Sequence, residues 1–128
     1  MKIRIKGNSL RLRLSQGDIA HLQLHQQVED RIQFGPGLEL VYGVEISGFA
    51  TAIEAKMEDQ RIRVIVPGEM AFTWCTTDLV GLENRQFISL EAGSLSILIE
   101  KDFQCLMPRA GENESDLFPN PNNQSMNL

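Results

Sequence analysis

Apolar residues fall on every second position in Lys2-Ile3-Arg4-Ile5-Lys6 and again in Leu10-Arg11-Leu12-Arg13-Leu14, a period of two that predicts a pair of strands with one buried face each. Gly7-Asn8-Ser9 supplies the turn between them. Directly afterwards, Ser15-Gln16-Gly17-Asp18 has the Ser-x-x-acid form of a capping box, in which each end residue's side chain satisfies the other's free amide at a helix start. A short helix carrying Ile19 and Leu22 is expected there. Period two returns in Val28 to Phe34, with Asp30 on the apolar side, and Gly35-Pro36-Gly37 reverses the chain into Leu38 to Ile46, where Leu38, Leu40, Tyr42, Val44 and Ile46 share a face. Ser47-Gly48 is the next turn, Phe49 to Met57 the next expected strand, and Glu58-Asp59-Gln60 a tight connection into the β-branched run Arg61 to Val66.

At Val66 the plan repeats. Pro67 is expected at the first helical position, where its missing amide costs nothing, and Glu69 faces the positive end of the dipole of a helix reaching Trp74. Two more strands, Leu79 to Ile88 and Leu95 to Glu100, are joined through Glu91-Ala92-Gly93-Ser94. Both halves read strand, strand, helix, strand, strand, with Leu10-Arg11-Leu12 matching Ile62-Arg63-Val64 and Gly17-Asp18-Ile19-Ala20 matching Gly68-Glu69-Met70-Ala71 after a slip of one residue. An internal ββαββ duplication would produce this, and so would any two amphipathic hairpins followed by helices. The fold expected is α+β: a mostly antiparallel curved sheet of about eight strands, covered by two short helices.

From Lys101 the character changes. Glu112, Glu114 and Asp116 form an acidic cluster, whereas Phe103, Leu106, Met107, Leu117 and Phe118 are large apolar residues in a stretch without period. Such spacing is best met if the segment lies extended across the domain, with Leu117 and Phe118 as its anchor. Residues 1–121 are therefore read as one domain with a docked C-terminal segment, and the polar residues 122–128 as a disordered tail.

The 128 residues, 42% of them hydrophobic, suit a single core. A formal charge of -5 argues against a nucleic-acid or anionic-membrane binder, which needs a positive field to recruit phosphate. No apolar run approaches a membrane span, and the N-terminus alternates charge with apolar residues, so a cytoplasmic protein is expected. Cys75 and Cys105 are too few for a disulfide framework, and both are expected reduced.

Three groups of residues could carry chemistry. Lys2, Arg4, Lys6, Arg11 and Arg13 point the same way if the alternation holds, and Arg61 and Arg63 extend the pattern into the second half. Arg4, Arg11, Arg13, Arg61 and Arg63 are the candidates for an anionic ligand, since arginine binds phosphate bidentately. The competing account pairs these cations with Glu29, Glu39, Glu45 and Glu54 on neighbouring strands or with the tail acids, and the excess of acid and the lack of interleaved aromatics favour it. His21 and His25 lie one helical turn apart at chelating separation, and Asp102 with Cys105 is the candidate addition to a metal set; two ligands alone do not make a site. Cys105 could be a reactive thiol beside Lys101 or Arg109, but it continues the alternation of Leu95, Ile97 and Ile99, which points it inward as a core residue. Nucleophile elbow, phosphate loop and dinucleotide fingerprint are missing from the sequence.

The opening Met1-Lys2-Ile3-Arg4-Ile5-Lys6-Gly7-Asn8-Ser9-Leu10-Arg11-Leu12-Arg13-Leu14, the turn Gln33-Phe34-Gly35-Pro36, and the closing Glu100-Lys101-Asp102-Phe103-Gln104-Cys105-Leu106 with Asp116-Leu117-Phe118-Pro119-Asn120-Pro121 resemble a family of small bacterial proteins catalogued only as a domain of unknown function. The resemblance spans nearly the whole chain and implies that the tail belongs to the folded unit. It brings no activity with it. The reading reached is a non-enzymatic interaction module without cofactor, forming a homodimer if strands as regular as Leu38 to Ile46 or Arg61 to Val66 lie at sheet edges. The alternative is a protein binding a small anion or a metal through the basic face, or through Cys105 with the tail acids.

Overall fold

The alternating stretches at the start of the chain form an antiparallel hairpin, β1 (Lys2–Ile5) and β2 (Ser9–Leu14), with Ile3 opposite Leu12. The structure is a computed structural model that describes residues 1–105, 111 and 113–121. Helix α1 (Gln16–His25) follows at once. Its start is fixed by the expected capping box, the Asp18 amide donating to Ser15 Oγ at 3.2 Å and the Ser15 amide to Asp18 Oδ2 at 2.9 Å. It ends at Gln26, which takes the left-handed conformation (φ 64°) and returns its amide to the Leu22 carbonyl at 2.8 Å. The chain then runs through β3 (Gln27–Gly35), β4 (Leu38–Ser47), β5 (Glu54–Glu58), β6 (Arg61–Pro67), α2 (Gly68–Thr76), β7 (Gly81–Ser89) and β8 (Gly93–Lys101).

The fold is α+β with eight strands and two helices among the described residues, as expected, and four of its six strand pairings are antiparallel, but the strands make two four-stranded mixed sheets and not one curved sheet. Sheet A has the order β1-β2-β8-β7 and sheet B the order β3-β4-β6-β5. In each the hairpins are antiparallel and the central pair, β2 with β8 or β4 with β6, is parallel. A period-two pattern fixes which face of a strand is buried and leaves its neighbour open, so the sequence could not separate one sheet from two. Exchanging β1 to β4 with β5 to β8 converts one sheet order into the other, and each sheet takes one hairpin from each half of the chain.

Inner faces of both sheets and the buried sides of both helices meet in one cluster. Leu12, Leu14, Ile97 and Ile99 come from sheet A, Val28, Val44, Val64 and Val66 from sheet B, and Leu22, Ala71 and Trp74 from the helices. The Trp74 indole is fully buried and donates to the Val80 carbonyl at 3.0 Å, so its polar edge is satisfied. Gly43 on β4 and Gly81 on β7 mark close approaches of backbone: a Cβ on Gly43 would run into the Val28 carbonyl oxygen, and one on Gly81 would stand 2.7 Å from the Ile99 carbonyl oxygen.

Several sequence expectations shift in detail. The strand expected from Phe49 begins at Glu54, because Ser47 Oγ accepts the amides of Phe49 and Ala50 at 3.1 and 3.2 Å and holds a local turn that leaves Phe49 99% exposed. Pro67 is the cap before α2, one residue ahead of its expected place. Leu38 to Ile46 and Arg61 to Val66 lie in the interior of sheet B, on the strands β4 and β6 that pair with each other. The true edges are β1, β7, β3 and β5. The gap between β5 and β7 is closed by side chains: Gln86 Oε1 accepts the Ala55 amide at 2.7 Å, Gln86 Nε2 donates to the Ala55 carbonyl at 3.1 Å, and Asn84 Nδ2 donates to the Ile53 carbonyl at 2.7 Å.

Past β8, Asp102 to Cys105 continue in extended form, and residues 113–121 return beside them. Phe118 donates its amide to the Asp102 carbonyl at 2.8 Å and accepts that of Gln104 at 2.7 Å, while the Phe103 and Phe118 rings lie 5.9 Å apart. The Gln16 amide donates to the Asp116 carbonyl at 2.9 Å, and the Asp116 carboxylate accepts the Gly17 amide at 3.2 Å, in the first turn of α1. Leu117 is buried. Leu106 and Met107, and residues 122–128 read as a disordered tail, lie outside the described residues.

Candidate functional site

Alternation and register together build a basic face on the outside of the first hairpin. Lys2 stands opposite Arg13 and Arg4 opposite Arg11 across the antiparallel pair. Like charges directly opposite destabilise a sheet unless carboxylates stand near them. Two do. Ile97 and Ile99 turn inward on β8, so Glu100 turns outward, and the parallel pairing sets it against Arg13. Glu100 Oε1 accepts from Arg11 Nε at 2.6 Å and from Arg13 Nε at 2.8 Å, and Arg11 Nη2 reaches the same oxygen. Asp102, itself buried, holds Lys2 Nζ at 2.9 Å. Arg4 has no ion-pair partner among the described residues. Lys2, Ile3, Arg4, Arg11 and Arg13 line a depression of about 210 Å³.

On sheet B the equivalent face is neutralised pair by pair. Arg61 Nη1 bonds Glu29 Oε2, and Arg63 Nη1 stands 2.8 Å from Glu45 Oε2. These groups border a cleft of about 330 Å³ that also contains Glu58 and Asp59. Glu29 and Glu45 were among the partners expected from the sequence. Glu100 was not, although its place in the alternation of β8 already put it on the outer face; what the sequence lacked was the pairing of β8 with β2, strands from opposite ends of the chain. Arg11 also lines a larger cleft, about 560 Å³, with Asn84, Arg85 and Ser96.

The other candidates are dispersed. His21 and His25 are both exposed on α1 with ring centroids 4.4 Å apart. Among the described residues no three of His, Cys, Asp and Glu stand together as a metal-binding group, and Asp102 is engaged by Lys2. Cys105 is exposed and does not point inward as the alternation implied, because β8 ends at Lys101 and the pattern lapses there. Its amide is accepted by the Glu114 carboxylate at 3.1 Å. Lys101, which broke the apparent pattern, is the residue that turns inward: its ammonium donates to the Thr77 carbonyl at 2.6 Å and lies 5.6 Å from the Phe118 ring centroid. Cys75 is half-buried, and burial raises its thiol pKa against the opposing pull of the Lys101 charge. Cys75 and Cys105 are not joined to each other in a disulfide. On the inner side of β3, the Met1 ammonium bridges Asp18 at 3.1 Å and Asp30 at 3.6 Å, which accounts for an acid on the apolar side of that strand. Burial and these same two carboxylates raise the pKa of Tyr42.

No helix among the described residues is long and apolar enough to cross a membrane. A family model described as a family of unknown function (DUF7009) matches residues 1–122. No curated protein and no solved structure matches the chain.

Proposed function

The chain belongs to this family of unknown function, and on the geometry above we propose that it is a non-enzymatic interaction module that works as a homodimer through the free edge of β3. The observation that carries this is the difference between the four edges. β1 has four residues, and β5 and β7 are tied across their gap by Gln86 and Asn84. β3 has nine residues, pairs with β4 alone among the described residues, and carries Ile32 and Phe34 at 47% and 68% exposure. A long edge strand presents unpaired amides and carbonyls that a second strand can take up, and an apolar pair on it adds a reason to be covered. A second copy fits: antiparallel pairing of β3 with itself about a two-fold axis can set Ile32 of one protomer opposite Phe34 of the other, an isologous contact. Two cysteines that do not pair with each other fit a reducing compartment such as the cytoplasm.

Sedimentation velocity tests the reading. The wild-type chain is expected to sediment as a dimer, and Ile32→Lys with Phe34→Lys as a monomer of unchanged circular dichroism. A wild-type chain that stays monomeric at roughly 100 µM would overturn it, since that concentration populates any dimer of biological affinity.

A further inference from the structure

We propose that the outer face of β1 and β2 is a binding site for the phosphoryl group of a small molecule, seated among Arg4, Arg11 and Arg13. The site lies on sheet A and does not depend on the dimer proposed through sheet B. Four cations, Lys2, Arg4, Arg11 and Arg13, surround the depression of about 210 Å³, and among the described residues two carboxylates, Glu100 and Asp102, answer them. The surplus of two positive charges matches a phosphate dianion. On sheet B, by contrast, Arg61 and Arg63 each have a carboxylate of their own.

The donors are arranged for the same ligand. Glu100 takes Arg13 through Nε and so fixes the stem of that guanidinium, while its two terminal nitrogens have no hydrogen-bond partner among the described residues. Arg4 stands opposite Arg11 across the hairpin with no ion-pair partner among the described residues. Guanidinium forks match the oxygens of a tetrahedral anion, and a rigid hairpin presents them already ordered. Arg11 is shared with the cleft of about 560 Å³ that Asn84, Arg85 and Ser96 border, which gives the rest of a small ligand somewhere to lie. A long polyanion is disfavoured, because the chain carries a formal charge of -5 and would repel strand beyond the site.

Titration of the full chain with inorganic phosphate, followed by the arginine side-chain N–H signals in nitrogen-15 NMR, tests the assignment. Saturable one-to-one shifts are expected at Arg4, Arg11 and Arg13 and not at Arg61 or Arg63. Arg4→Gln should weaken binding roughly tenfold or more, the loss of a bidentate charged contact. It should leave the melting temperature in place, since Arg4 supports no ion pair among the described residues, and Arg61→Gln should leave the affinity unchanged. Absent or unsaturable shifts, equal shifts on both sheets, or tighter binding of a single-stranded oligonucleotide than of phosphate would each overturn the proposal.

Discussion

Truncating Leu117 to alanine isolates what the returning segment contributes to the fold. Leu117 is 9% exposed, and its carbonyl accepts from Gln16 Nε2 at 2.8 Å. The backbone on either side is held by Gln16 and Asp102, so the substitution leaves the segment in place and removes only side-chain packing. Leu→Ala in a closed core costs about 2–5 kcal/mol. Leu117 lies at the margin of the molecule and outside the main cluster, where solvent can fill the space, so the low end applies, about 2 kcal/mol. For a chain of this size that lowers the melting temperature by roughly 6–8 °C. Deleting Ala110 to Leu128 removes in addition the Phe118 ring from its contacts with Phe103 and Lys101 and the Asp116 carboxylate from α1, and the loss should about double, with aggregation as the edge of Asp102 to Cys105 is uncovered. Removing only Asn122 to Leu128 should change nothing measurable. Thermal unfolding by circular dichroism and calorimetry at matched concentration decides it. A change below about 0.5 kcal/mol for Leu117→Ala, or equal melting curves for the full chain and the long deletion, would show that the segment packs on nothing that matters to stability.

Glu100→Gln should cost about 1–2 kcal/mol, because it leaves Arg11 and Arg13 side by side without their shared carboxylate, and Glu45→Gln under 1 kcal/mol, because its pair with Arg63 is about a third exposed; urea denaturation in low and high salt should show the first gap narrowing with salt. Gly43→Ala should destabilise by about 1–3 kcal/mol, since the new methyl meets the Val28 carbonyl and Glu29 beneath β3, and an unchanged urea midpoint would contradict that close approach. Iodoacetamide with mass spectrometry should label exposed Cys105 first. Half-buried Cys75, its thiol pKa raised by burial, should need a higher pH; equal rates at neutral pH would refute this.

Local structure was legible where the chemistry is local. The capping box of Ser15 and Asp18, the turn at Gly7-Asn8-Ser9, the inward face of β2 and the Tyr42, Val44 and Ile46 part of the inward face of β4 are each written in neighbouring residues, whereas Leu38 at the start of β4 is 55% exposed. What the sequence withheld is long-range. It could not say that β4 and β6 lie inside a sheet, that Glu100 is brought to Arg11 and Arg13, or that Lys101 turns in and Cys105 out once β8 has ended. Each of these depends on which strand lies beside which, and period two carries no such information. The basic face was therefore visible as a row of cations, while the count of carboxylates reaching it was not.

The interleaving of the two halves governs how the chain can reach this state. The first half contributes one hairpin to each sheet and completes neither; sheet B gains its last strand with β6 and sheet A only with β8, so no stretch ending before β8 contains both layers. The parallel pairing of β2 with β8 joins the two ends of the sequence, and closing so long a loop must precede the contacts that reward it. Folding should therefore be slow and all-or-none, without a stable half-molecule along the way. On the ribosome, β2 waits without its parallel neighbour, and Leu10, Leu12 and Leu14 without Ile97 and Ile99, until β8 has left the exit tunnel, which places the hazard of misassociation during synthesis on the first hairpin and the protection against it on the last.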